Sequence, residues 1–273
     1  MMHGTLHVER LTPSNVRAAL QYLSRSPFEN VFLSYLATEA PPPFKRDFYV
    51  VSDGESAIGA GYFGRQIAVA AEPAAVRSLS GIVASSGVHA IVGPRPVVAR
   101  YWEAVRERHG APRLVRESQP VMRVDVNSLR AGDASLAVRP AREDEWPEVV
   151  ENSAAMIAGE LETDPRKDPD FTASVRRMIR MRLWWVGERG ARLCFFCNVG
   201  AWSPQTAQLQ GIWTPPGFRR CGIATAALGA ICRELLGIFP TLSLYVNDFN
   251  TSAIALYQKL GFSRVGELQT ILF

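Results

Sequence analysis

The chain has 273 residues, 47% hydrophobic and 21% charged, which is the balance of an ordinary globular protein and excludes a disordered or fibrous one. Its net charge of +4 sets 30 basic residues against 26 acidic ones interspersed with them, so no sustained basic stripe exists and a nucleic-acid partner is not expected. The length suits two domains, each large enough to bury its own core.

The first residues, "MMHGTLHVERLTPSNV", have neither a basic n-region nor an apolar h-region. No apolar run approaches the roughly 18 residues a membrane helix needs, so a cytoplasmic protein with no membrane partner is expected. Four cysteines are too few for a disulfide scaffold. Cys194 and Cys197 have CxxC spacing but lie in the strand-like "RLCFFCNVGAW", where residues three apart point to opposite faces. The histidines His3, His7, His89 and His109 all fall in the first half, and no metal site is expected.

In chain order, a strand near "LHVERL" precedes helices over 14–25 and 29–39. Strands follow around "DFYVVS", "SAIGAGYFG" and "QIAVAA", then a helix over 73–84, the strand "VHAIVG", the helix "PVVARYWEAVRER", and two strands, "RLVRE" and "VMRVDV". The polar, small-residue stretch at 126–138 reads as a linker, dividing the chain into domains 1–130 and 136–273. Beyond it the strand "LAVRPA" leads to a helix starting near Asp144 and, after the polar loop "ELETDPRKDPD", to a helix over 171–183 with Arg176, Arg177 and Arg180 on a solvated face. Strands "WWVGE", "RLCFFCNVGAW" and "QLQGIW" come next, then a helix to about Leu236, the strand "LSLYV", the helix "TSAIALYQKL" and a final strand pair ending in "LQTILF". The order βααβββαβαββ implies a mixed sheet with helices on both faces, and the similar order upstream implies an internal duplication.

The stretch "GIWTPPGFRRCGIATAALG", residues 211–229, runs from a strand through two prolines and a glycine turn into an alanine-rich helix. Such a junction aims the orphan N–H groups of a first helical turn at one point, where the helix dipole adds positive charge, and so makes an anion site. Gly222 permits the turn and a close approach, Ala224 keeps bulk away, Thr225 offers a hydroxyl, and Arg219 and Arg220 add charge. The loop has neither the lysine of a nucleoside-triphosphate loop nor the spacing of a dinucleotide loop. Downstream, in "LYVNDFNTSAIALYQKLGF", Asn250 caps a helix, Tyr257 lies about two turns in, and Gly261 closes it.

Arg219, Gly222 and Ala224 fit [QR]xxGx[GA], and Asn250 to Phe262 fit NxxAxxLYxKxGF. On these residues the second half resembles the GCN5-related N-acetyltransferase (GNAT) superfamily. The resemblance implies an α/β fold of two GNAT-like domains, the first degenerate, each a mixed, mostly antiparallel sheet flanked by helices. It implies acetyl-CoA as co-substrate, with backbone of Arg220, Cys221, Gly222, Ile223, Ala224 and Thr225 holding pyrophosphate beside Arg219. The preceding strand would pair with the pantetheine arm through Trp213 and Thr214, the Ile212 amide would hold the thioester carbonyl, and Asn250 would touch the cofactor. Arg220 and Cys221 depart from the family's usual glycine and basic residue. The first half lacks both motifs, so one site per chain is expected.

Transfer to an amine also needs an acid for the departing thiolate, a role that suits Tyr257, whose phenol stays protonated at neutral pH. The second domain holds no histidine, so a carboxylate or water chain must act as base. Glu160 and Glu162 are expected in the loop between its first two helices, and Glu160 is the candidate. The implied activity is acetyl transfer to a primary amine of a small molecule or peptide. The alternatives are a tandem acyltransferase resembling mycothiol synthase and a non-catalytic acyl-CoA sensor.

Overall fold

The computed structural model describes residues 5–39, 45–84, 87–131 and 136–273; the segment 1–4 and residues 132–135 of the expected linker lie outside them. The first half builds β1 (His7–Arg10), α1 (Val16–Leu23), α2 (Val31–Thr38), β2 (Phe48–Ser52), β3 (Ala57–Phe63), β4 (Gln66–Ala71), α3 (Pro73–Ser80), β5 (Ala90–Pro94), α4 (Arg95–His109) and β6 (Leu114–Asp125). The second builds β7 (Ala137–Pro140), α5 (Trp146–Leu161), α6 (Pro169–Arg180), β8 (Trp184–Arg189), β9 (Arg192–Trp202), β10 (Ala207–Trp213), α7 (Ile223–Leu236), β11 (Thr241–Tyr245), α8 (Thr251–Lys259) and β12 (Ser263–Leu272). Strands buried on both faces, such as β3 and β9, read as nearly continuous apolar runs because helices cover both sides of the sheet.

Among the described residues twelve strands join in one mixed sheet, ordered β1-β2-β3-β4-β5-β12-β6-β11-β10-β9-β8-β7. Only β4–β5 and β10–β11 are parallel; the other pairs are antiparallel. The two halves exchange their last strands. β6 pairs with β11 of the second half, with Val124 opposite Leu242. β12 pairs in turn with β5 of the first half, with Leu268 opposite Pro94. The exchanged strands β12 and β6 also pair with each other, so parting the halves would break three ladders in the middle of the sheet.

Two expectations at these strands change. "RLVRE" and "VMRVDV" form the single strand β6, and the expected terminal pair is the single strand β12. Pro120 lies within β6; its carbonyl accepts from Val246 N at 3.2 Å, so its backbone polar groups face the end of β11. The last β11 partner is Tyr245 opposite Val121, and the missing N–H falls where the ladder stops. In β12 the breaks are register shifts around Gly266 and Gln269 and do not end the strand.

Helices cover both faces. In the first half α1 and α2 bury Leu23, Leu33 and Leu36 on one side, while α3 and α4 bury Leu79, Val98 and Tyr101 on the other. In the second half α5 and α6 pack Val149, Val175 and Ile179 against Val186 and Phe196. On the opposite face α7 packs Leu228, Ile231 and Leu235 against Phe195, Leu209 and Leu242. The α2 helix also reaches across the halves, where Tyr35 meets Trp202 edge-to-face at 4.6 Å between centroids.

Candidate functional site

The parallel pairing of β10 with β11 consists of Ala207–Leu242 and Gln208–Ser243. Beyond Gln208 the strands splay, and the edge of β10 from Leu209 to Trp213 lies free of β11. The register against β9 shifts between Gln210 and Trp213, where Gly211 takes φ 61°. A Cβ at Gly211 would stand 2.4 Å from Asn198 Nδ2, so glycine is required both by the turn and by the contact. The bulge re-aims the strand, and Ile212 comes to line a cleft of about 350 Å³ between β10, β11, α5 and α8.

Past Trp213 the chain turns through Pro215 and a short 3₁₀ turn, Pro216–Phe218. Arg219 Nε donates to Thr214 O at 2.9 Å, and its guanidinium lies 4.4 Å from the centre of the Trp213 ring, so Arg219 braces the strand's end while adding charge beside the loop. Arg220 and Gly222 both take left-handed conformations, φ 60° and 75°, which turn the backbone into α7. That helix opens with no side-chain cap and no acidic residue in its first turn. The N–H groups of Ile223, Ala224 and Thr225 have no intrahelical acceptor by their position, and a Cβ at Gly222 would meet nothing within 4 Å. Open, uncapped donors at a helix N-terminus beside two arginines fit a diphosphate. Cys221 is exposed in the same turn, its Sγ 3.4 Å from Arg219 O.

The equivalent junction in the first half is closed. Glu72 occupies the N-cap position of α3 without a side-chain capping hydrogen bond, its carboxylate adding negative charge near the dipole's positive end, and Pro73 at the first position removes an N–H. Glu72 is engaged by Arg25 at 3.3 Å. The paired residues of β4 and β5 end at Ala68 and Val92, yet the next residues stay in contact, since a Cβ on Gly93 would lie 2.2 Å from Val69 O. No opening for a pantetheine-like arm forms there.

Tyr257 lines the cleft from α8, 6% exposed, with its ring 5.9 Å from that of Phe262. Burial foremost, and then the neighbouring Cys197 and Glu160, push its phenol well above the ordinary value. Its hydroxyl has no hydrogen-bond partner among the described residues. Asn250 caps α8, its Oδ1 accepting from Ala253 N at 3.2 Å and Ser252 Oγ at 3.1 Å, and it also lines the cleft.

Glu160 belongs to the last turn of α5 and not to a loop, which corrects the expectation. Gly159 does not stop the helix; Glu162 does, by taking the left-handed position at φ 52° with its N–H on Ala158 O. Helical spacing puts Met156, Ile157 and Glu160 on the face that lines the cleft, and Glu162 outside it. Burial raises the Glu160 carboxyl, and Arg116 opposes the rise. Arg116 Nη2 also donates to the Glu160 carbonyl at 2.8 Å.

The sequence did not point to Gln119, Asn198, Tyr245 and Asn247, which line the same cleft. Gln119 and Arg116 come from β6, so the first half supplies part of the second half's site. Gln119 Nε2 donates to Asn247 Oδ1 at 2.9 Å, and its Oε1 accepts from Thr270 Oγ1 at 2.6 Å. Asn198 is 6% exposed and its Oδ1 has no partner. A polar residue in the middle of "CFFCNVGA" was a legible sign of it. Cys194 departs from simple alternation: a bulge opposite Gly187 and Glu188 places it in the same apolar cluster as Cys197, and both thiols are free. No group of three or more His, Cys, Asp or Glu able to hold a metal occurs among the described residues.

Residues 156–262 match the acetyltransferase (GNAT) family, and residues 47–149 match a domain of unknown function, DUF4081. No curated protein sequence matches the chain. Among solved structures, a Drosophila protein is similar over 97% of this chain and 98% of its own, with TM-score 0.72 and 14% identity. An acetyltransferase from the GNAT family of Colwellia psychrerythraea is similar over 98% and 99%, with TM-score 0.61 and 10% identity. A tandem GNAT protein from the clavulanic acid biosynthesis pathway is similar over 97% and 98%, with TM-score 0.55 and 15% identity. At these identities the likeness establishes the fold.

Proposed function

We propose that this chain, whose residues 156–262 match the GNAT family and whose fold is similar to that of a tandem GNAT protein, carries a degenerate N-terminal copy, and that its C-terminal copy transfers an acetyl group from acetyl-CoA directly to a primary amine. The observation that carries the reading is the splay of β10 from β11 beside an uncapped helix N-terminus, with Tyr257 and Glu160 lining the cleft between. Acetyl-CoA supplies an activated acyl group and a thiol leaving group.

The backbone of Arg220 to Thr225 holds the diphosphate, and the free edge of β10 at Trp213 and Thr214 pairs with the pantetheine arm. The Ile212 N–H donates to the carbonyl oxygen as charge develops on it. Asn250 steadies the cofactor where α8 begins. Glu160, whose carboxyl burial raises above the ordinary value, takes a proton from the amine as the N–C bond forms. Tyr257 gives its proton to the sulfur as the C–S bond breaks. The free thiols of Cys194, Cys197 and Cys232 agree with a reducing, cytoplasmic setting. No described helix is long and apolar enough to cross a membrane.

The test is calorimetric binding of acetyl-CoA together with thiol release in the presence of a panel of primary amines. Binding with amine-dependent release is expected. Binding with no release on any amine would instead make the protein an acyl-CoA sensor.

A further inference from the structure

A second cavity adjoins the cleft. Gln210 and Tyr245, which line the cleft, also line this cavity of about 170 Å³ between the two halves. The first half contributes Glu29, Asn30 and Gln66 to that cavity, and the second contributes Gln208. A molecule whose reacting amine sits near Tyr257 reaches this space, walled by both halves, only by passing Gln210 and Tyr245.

This second cavity is rich in acceptors. Asn30 is 5% exposed; its Nδ2 donates to Leu23 O at 3.1 Å, which fixes the amide, and its Oδ1 has no partner. Glu29 Oε1 accepts from Glu267 N at 3.1 Å. Glu29 makes no ion pair among the described residues, and the charged group that acts on it is Glu267, of the same sign. Burial raises the Glu29 carboxyl, as expected of a carboxylate drawn from water without a counter-charge. The Gln208 and Gln210 side chains are joined, Gln210 Nε2 donating to Gln208 Oε1 at 2.8 Å. A partly buried carboxylate without a cation, beside an orphaned amide oxygen, is a setting that an ammonium with three donors completes.

Resting on the acetyl-transfer reading above, we propose that this cavity receives the second, non-reacting ammonium of a diamine-type acceptor, held by Glu29 and the Asn30 Oδ1. The substrate class is then a small amine with a second cationic amine along its chain. The first half acts as the part of the protein that selects it.

The experiment compares kcat/KM, by thiol release at saturating acetyl-CoA, for n-butylamine, 1,3-diaminopropane, 1,4-diaminobutane and 1,5-diaminopentane. At least one diamine is expected to exceed n-butylamine by about tenfold or more, the worth of one charge-assisted contact. In Glu29→Gln, which keeps an acceptor for Glu267 N, the diamine-to-monoamine ratio should collapse towards one. A ratio near one in the wild type, or a ratio that survives Glu29→Gln, overturns the proposal. If acetyl-CoA binds but no amine is acetylated, transfer is what has failed. The cavity is then read by calorimetry of 1,4-diaminobutane on the CoA-loaded protein, where binding weakened by Glu29→Gln supports the subsite and absence of binding overturns it. If acetyl-CoA does not bind, the same titration on the protein alone decides in the same way.

Discussion

Gln119 Nε2, on the last strand of the first half, donates to Asn247 Oδ1 between β11 and α8 at 2.9 Å. Both side chains line the cleft that also holds Tyr257, and the bond spans the exchange of strands between halves. The first half therefore does more than pack beside the second: it supplies β6, without which β11 and β12 lose their common neighbour.

A chain of residues 136–273 alone should for this reason fail to fold. Removing β6 leaves two central strands with unpaired edges and exposes Leu242, Leu244 and Leu268. The expected outcome is aggregation of the isolated half, and recovery of acetyl-CoA binding when residues 1–130 are co-expressed. A soluble, cooperatively melting 136–273 fragment would contradict the role given to the exchange.

Gly222→Val should abolish acetyl-CoA binding with little effect on the global fold. The added Cβ meets no protein atom, so the cost is local: a β-branched residue at φ 75° resists the left-handed turn, by about 1–2 kcal/mol or more, and its branch stands where the anion approaches. Calorimetry on the wild type should give one site per chain, since Glu72 and Pro73 close the equivalent junction in the first half. Unchanged affinity in a folded Gly222→Val protein, or two equivalent sites in the wild type, would remove the loop from the argument.

Most of this architecture was legible in the residues, and the exceptions share a cause. The order of strands and helices followed from local periodicity and turn chemistry, and the loop at 219–225 from its glycine and arginines. Local patterning does not say which edge a strand joins. The exchange of β6 and β12 was therefore hidden, and with it the delivery of Gln119 to the cleft and of Arg116 to Glu160. Glu160 was picked out on chemistry but placed in a loop, because Gly159 reads as a helix end and a glutamate in the left-handed position at 162 does not announce itself. Asn198 could have been found from its polarity within a buried strand.

If Glu160 is the base, Glu160→Gln should lower kcat/KM at neutral pH by about 10²-fold or more, with acetyl-CoA affinity kept. In the wild type the acid limb of kcat/KM should lie above the ordinary carboxylate value, because burial raises the carboxyl that must be ionised to act. Arg116 lowers the same pKa, so Arg116→Leu should move that limb to higher pH, with activity lost first at the acid end. A profile identical in wild type and Arg116→Leu would separate Glu160 from the proton transfer.

Acid stability should depend on Glu145. Its carboxylate accepts from Arg139 Nη1 and Nη2 at 2.8 and 2.6 Å and from Arg142 N at 2.7 Å, tying β7 to the start of the helix that carries Glu160. Arg139 foremost holds its pKa down to about 2, from an ordinary 4.5. A depressed carboxyl stabilises the fold fully above its unfolded pKa, and the benefit disappears as pH falls from near 4.5 through about 2. The side chain is only 13% exposed, so the loss is on the order of 3 kcal/mol. Denaturant unfolding at pH 7, 5 and 3 should show the wild type losing more stability between pH 5 and 3 than Glu145→Gln. Equal losses would show that the network does not carry the effect.

Tyr257 separates an enzyme from a binding protein. Its hydroxyl bonds to no described residue while its ring packs on Phe262, so Tyr257→Phe removes a proton donor and leaves the packing in place. Acetyl-CoA affinity should be nearly unchanged. Turnover should fall by about 10²- to 10⁴-fold where proton transfer limits the rate, as for other positioned general acids. Because burial raises the phenol's pKa, the acid form persists through neutral and mildly alkaline pH, and Tyr257 should add no falling limb to kcat below about pH 10. The measurement is kcat against pH beside a calorimetric Kd, for wild type and variant on the same amine. Equal kcat values would end the assignment of Tyr257 as the acid. Weakened acetyl-CoA binding with kcat retained would make the hydroxyl a cofactor contact, and the thiolate would then leave with a proton from water.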